Sequence, residues 1–442
     1  MSNPSDKVVR VAILGCGNVG AALVELLSDT ARSEQIARRA GIRLEIAGIA
    51  VNDLTKERSP APWFPRDLLT NDAKELVARS DVDIVVELMG GIEPAARLIE
   101  MALEEGKPVV SANKALLAEQ GTALSELAAA NGVDLSFEAS VAAAIPIIRT
   151  LRESLAGEPI TRVLGIVNGT TNFILSKMAD EGGDYADVLA EAMELGLAER
   201  DPTADVEGFD AAAKAAILAG LAFGCDVPLE RVYREGITKI RSVDVAFAKQ
   251  FGFVIKLLAI AELVGADEIS VRVHPAMVPL SHPLAQVGGS FNAVFVEGMA
   301  AGSLMLYGQG AGGMPTASAV LGDVIDAARN LVASTASPAP VRALPRRAID
   351  MDRLRSAFYI SIDVFDRPGV LAAVATAFGD HHISIRSMEQ VGLGDEARLI
   401  FLTHEATESD LADTIRALDQ LEVVDSVGGV MRVVSDDQVM EA

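Results

Sequence analysis

The segment from Ala192 to Lys214 carries the side chains of this sequence that are best suited to chemistry. Its first part is a turn-rich loop with carboxylates at Glu199 and Asp205, and its helix-like second part carries Asp210 and Lys214. Carboxylates can hold a small polar molecule by its hydroxyl and amine groups, and an ammonium group can give a proton to a reacting oxygen. The alternative is an acidic surface loop followed by an ordinary helical Asp–Lys pair.

A glycine-rich turn near the N-terminus predicts a dinucleotide site. The apolar run Val8–Leu14 is rich in β-branched residues, as a buried parallel strand should be, and Ala21–Leu27 reads as a helix. Glycines between them permit a tight turn, close approach of the backbone to a pyrophosphate, and close packing of strand against helix. The alternative is a turn with only a structural role. The residues of the predicted site are Gly15, Gly17, Asn18, Val19 and Gly20.

Strands and helices continue to alternate along the first third of the chain, which predicts an α/β fold with a Rossmann-type doubly wound parallel sheet. The first helix is expected to extend through the polar stretch Asp29–Arg39. After the second strand, Asp53 could bind a ribose hydroxyl of NAD, whereas Lys56 or Arg58 could bind the 2′-phosphate of NADP. The choice between NAD and NADP stays open. The other expected strands and helices are Leu44–Val51, Asp83–Glu87, Pro94–Glu105, Lys107–Ser111, Ala115–Ala130 and Val133–Glu138.

Composition and charge favour a soluble enzyme. The 442-residue chain has a formal net charge of −24, which argues against binding to nucleic acid or to an anionic membrane surface. No apolar run reaches the roughly 18 residues of a membrane span. The longest candidate, Phe251–Val264, contains charged residues and is interpreted as a buried helix. The polar segment Ser2–Lys7 argues against a secretory signal, and Cys16 and Cys225 lack metal-ligand spacing, so we expect a cytoplasmic protein.

Three domains and a linker are predicted. Residues 1–146 form the nucleotide-binding domain, to which residues 308–332 return, because a glycine-rich loop that leads into a helix can bind a phosphate or ribose. Residues 147–307 form an α+β catalytic and dimerisation domain. Residues 333–347 are rich in Ala, Pro and Ser and are typical of an exposed linker. Residues 348–442 follow the βαββαβ order of a ferredoxin-like domain.

Several segments together resemble the homoserine dehydrogenases that end in an ACT domain, and the resemblance covers nearly the whole chain. The segment Ala192–Lys214 fits the signature of that family. The resemblance implies reversible reduction of L-aspartate 4-semialdehyde to L-homoserine with NADPH or NADH, in threonine and methionine biosynthesis. The supporting segments are GCGNVG from Gly15, ELMGG from Glu87, SANKALLA from Ser111, NGTTNFIL from Asn168, GQGAGGMPTA from Gly308 and DRPGVL from Asp366.

The resemblance also assigns roles to individual residues. Lys214 would give the proton to the alkoxide that forms during reduction, with Lys114 and Asp210 as further catalytic residues. Glu199, Asp205 and Asp210 would hold homoserine by its ammonium or hydroxyl group. The cofactor contacts would be Gly15, Gly17, Asn18, Val19, Gly20, Lys114, Gly196 and Gly312.

A monovalent cation is a further implication of the resemblance. Its ligands would be the carboxylate of Glu138 and the backbone carbonyls of Val141, Ala143 and Ile145. A shell made only of oxygen atoms suits a hard cation such as Na⁺. Nothing in the composition of this segment demands a metal by itself.

Two other functions are weighed against the first. An enzyme similar to aspartate-semialdehyde dehydrogenase would need a nucleophilic cysteine, for which Cys225 is the only candidate, and it has no histidine near it in the sequence. A non-catalytic sensor of nucleotide and amino acid would have no use for the intact segment around Lys214. Absence of aldehyde-dependent oxidation of NADPH or NADH would favour the sensor.

The C-terminal domain predicts regulation. The resemblance to ACT amino-acid sensors, together with the implied pathway, makes L-threonine the expected ligand. It would bind at the turn Asp366–Gly369, where the glycine leaves room for a ligand and the helix N-terminus favours its carboxylate. A chain that ends near Thr335 should then stay active but lose its sensitivity to threonine. Two such domains are expected to pair through their sheets, which predicts a homodimer or homotetramer.

Overall fold

The computed structural model describes residues 7–58, 61, 64–337, 344–392 and 396–434. Parts of the predicted linker 333–347 and of the polar segment Ser2–Lys7 therefore lie outside the described residues. The chain divides into two compact units. Unit 1 comprises residues 1–160, 216–229 and 297–345, and unit 2 comprises residues 161–215, 230–296 and 346–442. Among the described residues, no helix combines the length and the apolar character that crossing a membrane requires.

The helices and strands follow one another along the chain in three runs. The first run is β1 (Val8–Leu14), α1 (Asn18–Ser28), α2 (Thr30–Ala40), β2 (Arg43–Ala50), β3 (Leu69–Thr70), α3 (Ala73–Ala78), β4 (Ile84–Glu87), α4 (Ala95–Glu104), β5 (Val109–Ser111), α5 (Lys114–Ala130), β6 (Leu135–Ser136) and α6 (Ile147–Arg149). The second run is β7 (Ile160–Ile166), α7 (Gly169–Glu181), α8 (Tyr185–Glu194), α9 (Thr203–Val206), α10 (Phe209–Phe223), β8 (Tyr233–Arg234), α11 (Ser242–Gln250), β9 (Phe253–Leu263), β10 (Glu268–Pro279), β11 (Phe291–Gly298), β12 (Gly302–Gln309) and α12 (Gly313–Ala333). The third run is β13 (Arg347–Ala348), β14 (Arg355–Phe365), α13 (Val370–Asp380), β15 (Ile385–Gly392), β16 (Glu396–Thr403), β17 (Ala406–Thr407), α14 (Glu408–Leu418) and β18 (Val424–Val433).

Unit 1 contains a six-stranded sheet in the order β3-β2-β1-β4-β5-β6. Each pair of neighbours is parallel, so the predicted Rossmann-type sheet is confirmed. Because both faces are covered, the strands carry continuous apolar runs in place of an alternating pattern. One face packs against α1 and α12 through side chains such as Leu23 and Val324, which lie in the same core as Ile13 and Val86.

The expected extension of the first helix through Asp29–Arg39 is wrong, because two helices stand there. Asp29 has an extended backbone, and its carboxylate accepts hydrogen bonds from the N–H groups of Ala31 and Arg32. An aspartate in this position caps the start of a new helix, so α1 ends and α2 begins at the same residue.

The sheet of unit 2 has the order β11-β7-β9-β10-β18-β14-β16-β15. The interpretation of Phe251–Val264 as a buried helix is wrong, because β9 occupies this segment and pairs with β10 along its whole length. The two charged side chains that interrupt the run explain the difference. Lys256 and Glu262 lie six residues apart, so they share one face of a strand, and each bonds to polar partners there.

The C-terminal part of unit 2 has the predicted βαββαβ order, with the short strand β17 added. Alternate residues of β14, such as Phe358 and Ile360, point to a core shared with α13 and α14. On the opposite face, the Tyr359 hydroxyl donates to Asp244 of α11 at 3.0 Å, and Arg241 donates to the Ser361 hydroxyl at 3.0 Å. At β14, α11 therefore covers this face of the sheet, and the expected pairing of two such domains through their sheets stays a prediction.

Candidate active site

The glycine turn of unit 1 has the shape that the sequence predicts. Gly15 follows β1 with a φ of 98°, and a Cβ atom built on it would lie 2.6 Å from the carbonyl oxygen of Leu88. A Cβ on Gly20 would lie 2.3 Å from the carbonyl oxygen of Gly15. These two glycines are thus required by the packing of the turn itself. A Cβ on Gly17 would meet no atom of the described chain within 4 Å, so Gly17 leaves open space at the start of α1.

Two helix N-termini meet at this turn. Gly312 caps α12 with a φ of 114°, and a Cβ built on Gly313 would lie 2.9 Å from the carbonyl oxygen of Asn18. The starts of α1 and α12 are therefore neighbours within unit 1. Each helix start presents unpaired N–H groups and a partial positive charge, so their junction is suited to a pyrophosphate.

Polar side chains fix the chain at the ends of β4 and β5, two neighbouring strands of the same sheet. Glu87 at the end of β4 is fully buried, and its carboxylate accepts hydrogen bonds from Met89 N–H and from the Ser111 hydroxyl, both at 2.7 Å. Asn113 caps α5 by accepting from Leu116 N–H. Lys114, the first residue of α5, is exposed at this carboxyl edge of the sheet, where ligands of such folds bind.

The region after β2 leaves the choice of coenzyme open. Asp53 accepts hydrogen bonds from the N–H and the hydroxyl of Thr55, and these bonds lower the pKa of Asp53. Arg58 donates to the backbone carbonyls of Asp53 and Lys56. Asp53 and Arg58 are thus both held in one exposed loop, and neither an NAD nor an NADP pattern is dominant there.

The lysine predicted from sequence lies in a buried charge cluster in unit 2. Lys214 is 8% exposed and Asp210 is 7% exposed. The Lys214 ammonium lies 2.7 Å from the Asp210 Oδ2 atom and donates to the Val167 carbonyl, also at 2.7 Å. These partners account for two of the three N–H donors of the ammonium among the described residues, and a third donor remains for a bound molecule.

Asn168 joins this cluster and has no role in the prediction from sequence. Its Nδ2 donates to Asp205 Oδ1 at 2.7 Å and to Asp210 Oδ2 at 3.0 Å. Val167 and Asn168 lie directly after the end of β7, and Asp210 lies in the first turn of α10. Segments that are distant in the sequence therefore form the cluster. An asparagine directly before a helix was a visible capping signal, but its two carboxylate partners were not visible in the sequence.

Two of the predicted residues of the loop stand outside this cluster. Glu199 is exposed and takes part in none of the hydrogen bonds that join the cluster in the described structure. Gly196 is also exposed and has a φ of 70°, a backbone conformation that favours glycine. The loop that carries them is attached to α7, because the Thr170 hydroxyl donates to the Leu197 carbonyl at 2.7 Å.

The predicted cation ligands belong to one short segment of unit 1. The Glu138 carboxylate is buried and accepts from the N–H groups of Ile148 at 2.7 Å and Arg149 at 2.9 Å. Burial raises the pKa of Glu138, while these two hydrogen bonds oppose the increase. The Glu138 N–H donates to the buried carboxylate of Asp323, whose pKa burial raises to about 7.

The loop that follows Glu138 contains two alanines in the left-handed region, Ala142 with a φ of 54° and Ala143 with a φ of 44°. Non-glycine residues keep such conformations only where their surroundings hold them, and they cluster at ligand sites. Val141, Ala143 and Ile145 are all buried in this loop. The strained backbone therefore distinguishes the segment from an ordinary small-residue loop.

The two units present different chemical groups. Unit 1 can bind a dinucleotide through glycines and helix N-termini. Unit 2 presents a buried ammonium held by a carboxylate, a group that can donate a proton to an oxyanion. Together these sites fit an oxidoreductase that interconverts a carbonyl and an alcohol.

Comparisons with known proteins agree with this chemistry. The family model "Homoserine dehydrogenase, NAD binding domain" matches residues 15–138, "Homoserine dehydrogenase" matches residues 146–325, and "ACT domain" matches residues 358–423. The homoserine dehydrogenase of Mycobacterium tuberculosis is 52% identical over 438 residues, which is 97% of this chain and 98% of that protein.

Solved structures give the same result. The crystal structure of a homoserine dehydrogenase from Thiobacillus denitrificans has a TM-score of 0.91 at 40% identity, over 97% of this chain and 99% of that one. A hyperthermophilic archaeal homoserine dehydrogenase in complex with NADPH has a TM-score of 0.61 at 30% identity, over 75% of this chain and 99% of that one. The chain therefore belongs to the homoserine dehydrogenase family of NAD(P)-dependent oxidoreductases and carries its nucleotide-binding, catalytic and ACT domains.

Proposed function

We propose that this chain reduces L-aspartate 4-semialdehyde to L-homoserine with NADPH or NADH, reversibly, and that Lys214 is the proton donor. The observation that carries the proposal is the buried Lys214 ammonium, which lies 2.7 Å from Asp210 and keeps one donor for a bound molecule. A reduced nicotinamide, when bound, would supply the hydride that the aldehyde carbon accepts. Lys214 then gives its proton to the aldehyde oxygen, so that an alcohol leaves the site.

The remaining polar residues would hold the substrate. Asp205 keeps one carboxylate oxygen beyond the oxygen that Asn168 uses, and this oxygen can accept from the homoserine hydroxyl or ammonium. Glu199 would add a second carboxylate for the ammonium of homoserine, because its exposed side chain takes part in none of the hydrogen bonds that join the cluster. Lys114 would contact cofactor and substrate from the carboxyl edge of the parallel sheet.

One assay tests the reaction. Purified protein receives L-homoserine with NAD or with NADP, and the absorbance of the reduced coenzyme is followed over time. We expect absorbance to rise with at least one coenzyme and to fall again when L-aspartate 4-semialdehyde is added. The ratio of kcat/KM values for the two coenzymes decides which one the loop around Asp53 and Arg58 prefers. No absorbance change in either direction would favour a non-catalytic sensor.

We also propose a monovalent cation at Glu138 and the carbonyls of Val141, Ala143 and Ile145. The buried carboxylate and the strained backbone of the loop support this proposal, and a donor set made of oxygen atoms suits Na⁺. A bound cation stabilises the folded state, so the thermal midpoint should be higher in NaCl than in choline chloride at equal ionic strength. Glu138→Gln should abolish this difference, whereas Glu153→Gln, an exposed neighbour, should keep it. Equal midpoints in both salts would contradict the site.

Regulation by L-threonine is the next proposal. A cavity of about 410 Å³ is lined by the turn from Val364 to Leu371 together with Gln390 and Leu399. Gly369, with a φ of 91°, caps α13, so helix N–H groups can meet a carboxylate while Asp366 meets an ammonium. A chain that ends near Thr335 is not a suitable test, because the truncation would also remove β18, which pairs with β10.

A point substitution therefore tests the proposal. Threonine should inhibit the wild-type chain, and Asp366→Asn should weaken this inhibition while the uninhibited rate stays the same. Asp380→Asn serves as the control, because Asp380 lies at the other end of α13 and is also exposed. The alternative is that the C-terminal domain has a purely structural role. This alternative is correct if millimolar threonine leaves wild-type activity unchanged and calorimetry detects no binding of threonine.

We further propose that the chain forms a homodimer or homotetramer. The strand β12 carries Tyr307 at 53% exposure and Met305 at 40% exposure, and the preceding turn carries Met299 at 76% exposure. Large apolar side chains gathered on an exposed strand are typical of a surface that associates. Sedimentation velocity at micromolar concentration should give a dimer or tetramer, and Tyr307→Asp should shift the distribution to smaller species. A wild-type monomer would contradict the proposal.

A further inference from the structure

Asn168 occupies a position with two separate sets of hydrogen bonds. On one side, its Oδ1 accepts from the N–H of Thr171 at 2.9 Å and from the Thr171 hydroxyl at 3.0 Å, which caps α7. On the other side, its Nδ2 donates to Asp205 and Asp210. The helix N–H requires an oxygen and the carboxylates require an N–H, so only one orientation of this carboxamide satisfies both sides.

The frame behind Asn168 holds the side chain firmly. The residue is 5% exposed, and a Cβ built on the next residue, Gly169, would lie 2.7 Å from the carbonyl oxygen of Ser290. One turn further along α7, Asn172 donates to the backbone carbonyls of the same loop, including Val287 at 3.1 Å. The start of α7 therefore has little room to shift.

The carboxamide joins two carboxylates without adding charge. Asp205 and Asp210 would repel each other, and each receives one of the two N–H donors of Asn168. The same Asp210 oxygen that accepts from Asn168 also lies 2.7 Å from the Lys214 ammonium. The position of the ammonium is thus set by α7 through Asn168 and Asp210.

We propose that Asn168 is a positioning residue for the reaction, which orients Asp205 toward the substrate and holds Asp210 where it places the Lys214 proton. The inference rests on the proposed function, because it gives Asn168 a role through residues assigned to substrate and proton. Asn168 itself does not touch the reacting atoms. A misplacement of about 1 Å at such a site can cost about 10²-fold in rate.

The competing explanation is that Asn168 only caps α7, and one substitution separates the two roles. Serine is as good a helix cap as asparagine, but it has no N–H donors for the two carboxylates. Asn168→Ser should therefore keep the fold, with a thermal midpoint close to wild type and an unchanged Kd for NADPH. Its kcat should fall by about 10- to 100-fold, and its pH profile should be displaced.

Asn168→Asp adds a second signature. Aspartate also caps the helix, but it places a third carboxylate beside Asp205 and Asp210. Its activity should be lowest at high pH and should recover partly on acidification, because a protonated carboxyl can donate one hydrogen bond. A residue that only caps α7 would not produce this recovery.

Thr171→Val is the matched control. It removes the hydroxyl that bonds Asn168 on the capping side, while both bonds from Nδ2 to the carboxylates stay in place. It should lower the thermal midpoint and leave kcat within about two-fold of wild type. The inference is overturned if Asn168→Ser keeps the wild-type kcat, KM and pH profile, or if Thr171→Val lowers kcat as much as Asn168→Ser does. Turnover by the wild-type chain tests the proposed function separately, and a wild-type chain without turnover would overturn both.

Discussion

Two candidate sites are built by opposite means. They are the nucleotide turn, from Gly15 to Gly20, and the lysine cluster, formed by Asn168, Asp205, Asp210 and Lys214. In the turn, Gly17 provides open space and backbone N–H groups, so the important feature is that no side chain is present. In the cluster, the side chains of Asn168, Asp210 and Lys214 bond to one another and are buried. The first site depends on the path of the backbone, whereas the second depends on the relative positions of charges. The two sites should therefore fail differently when single residues are changed.

Lys214→Ala should have the largest effect on the reaction. The variant should fold and bind NADPH normally, because the nucleotide turn belongs to the other unit, yet kcat should fall by at least ~10²-fold. Lys177→Ala is the control, since Lys177 pairs with Glu191 at 2.6 Å away from the cluster. Near-native turnover of Lys214→Ala at saturating substrate would remove Lys214 from the role of proton donor.

Two of the three glycines of the turn should respond in contrasting ways. Gly20→Ala places a Cβ 2.3 Å from the Gly15 carbonyl oxygen and should cost about 1–3 kcal/mol of folding free energy, measured by urea unfolding. The Cβ of Gly17→Ala meets no atom of the described residues within 4 Å and should leave stability unchanged, while the KM for the coenzyme rises about tenfold. If Gly17→Ala binds the coenzyme as well as wild type, the pyrophosphate does not approach this residue.

Glu199→Gln tests whether the exposed loop belongs to the charge-based site. The substitution keeps the shape of the side chain but removes the charge that would hold an ammonium, so the KM for homoserine should rise about tenfold. Asp201→Asn in the same loop is the comparison, because the Asp201 carboxylate serves Thr203. Equal KM values for wild type and Glu199→Gln would place Glu199 outside the site.

Lys256→Met should have the smallest effect. Lys256 donates a hydrogen bond to the Asn172 side chain at 3.0 Å and so supports the start of α7 behind the cluster. Burial lowers the pKa of Lys256 from 10.5 to about 8, so protonated Lys256 is disfavoured in the folded state. The free energy of unfolding should therefore rise as the pH increases through about 8, the pKa of Lys256 in the folded state, toward 10.5, its pKa in the unfolded state. The expected increase is about 1 kcal/mol between about pH 7 and about pH 8.5. In Lys256→Met this increase should be smaller, as measured by unfolding in urea at each pH. Identical pH dependence in both proteins would show that Lys256 does not titrate in this range.

The contrast between the sites explains what the sequence could predict. The shape of the nucleotide turn could be predicted, because it depends on consecutive residues from Gly15 to Gly20. Of the lysine cluster, the sequence indicated Asp205, Asp210 and Lys214, which lie in one short segment of the chain. Asn168 lies 37 residues before Asp205 and 42 before Asp210, and no local pattern indicates that these side chains meet.

The same reasoning applies to the elements of the fold. The periodic strands of the Rossmann-type sheet and of the ACT domain were predicted well, because each has a pattern of its own. The strand β9 was mistaken for a helix, since a long apolar run has the same composition in either structure. The position of α11 against β14 depends on contacts such as that between Asp244 and Tyr359, and these distant partners have no local signal.

The parallel pairing of β18 with β10 has a consequence for the inheritance of the ACT domain. Ala276 pairs with Arg432 and Met277 with Val433, so the last strand of the ACT domain continues the catalytic sheet. A gene fusion or recombination event that adds or exchanges such a domain must therefore satisfy more than the geometry of a linker. The incoming segment would have to supply an edge that fits β10 and a surface that fits α11. Substitutions in β18 and in the part of β10 that it pairs with are therefore expected to be correlated.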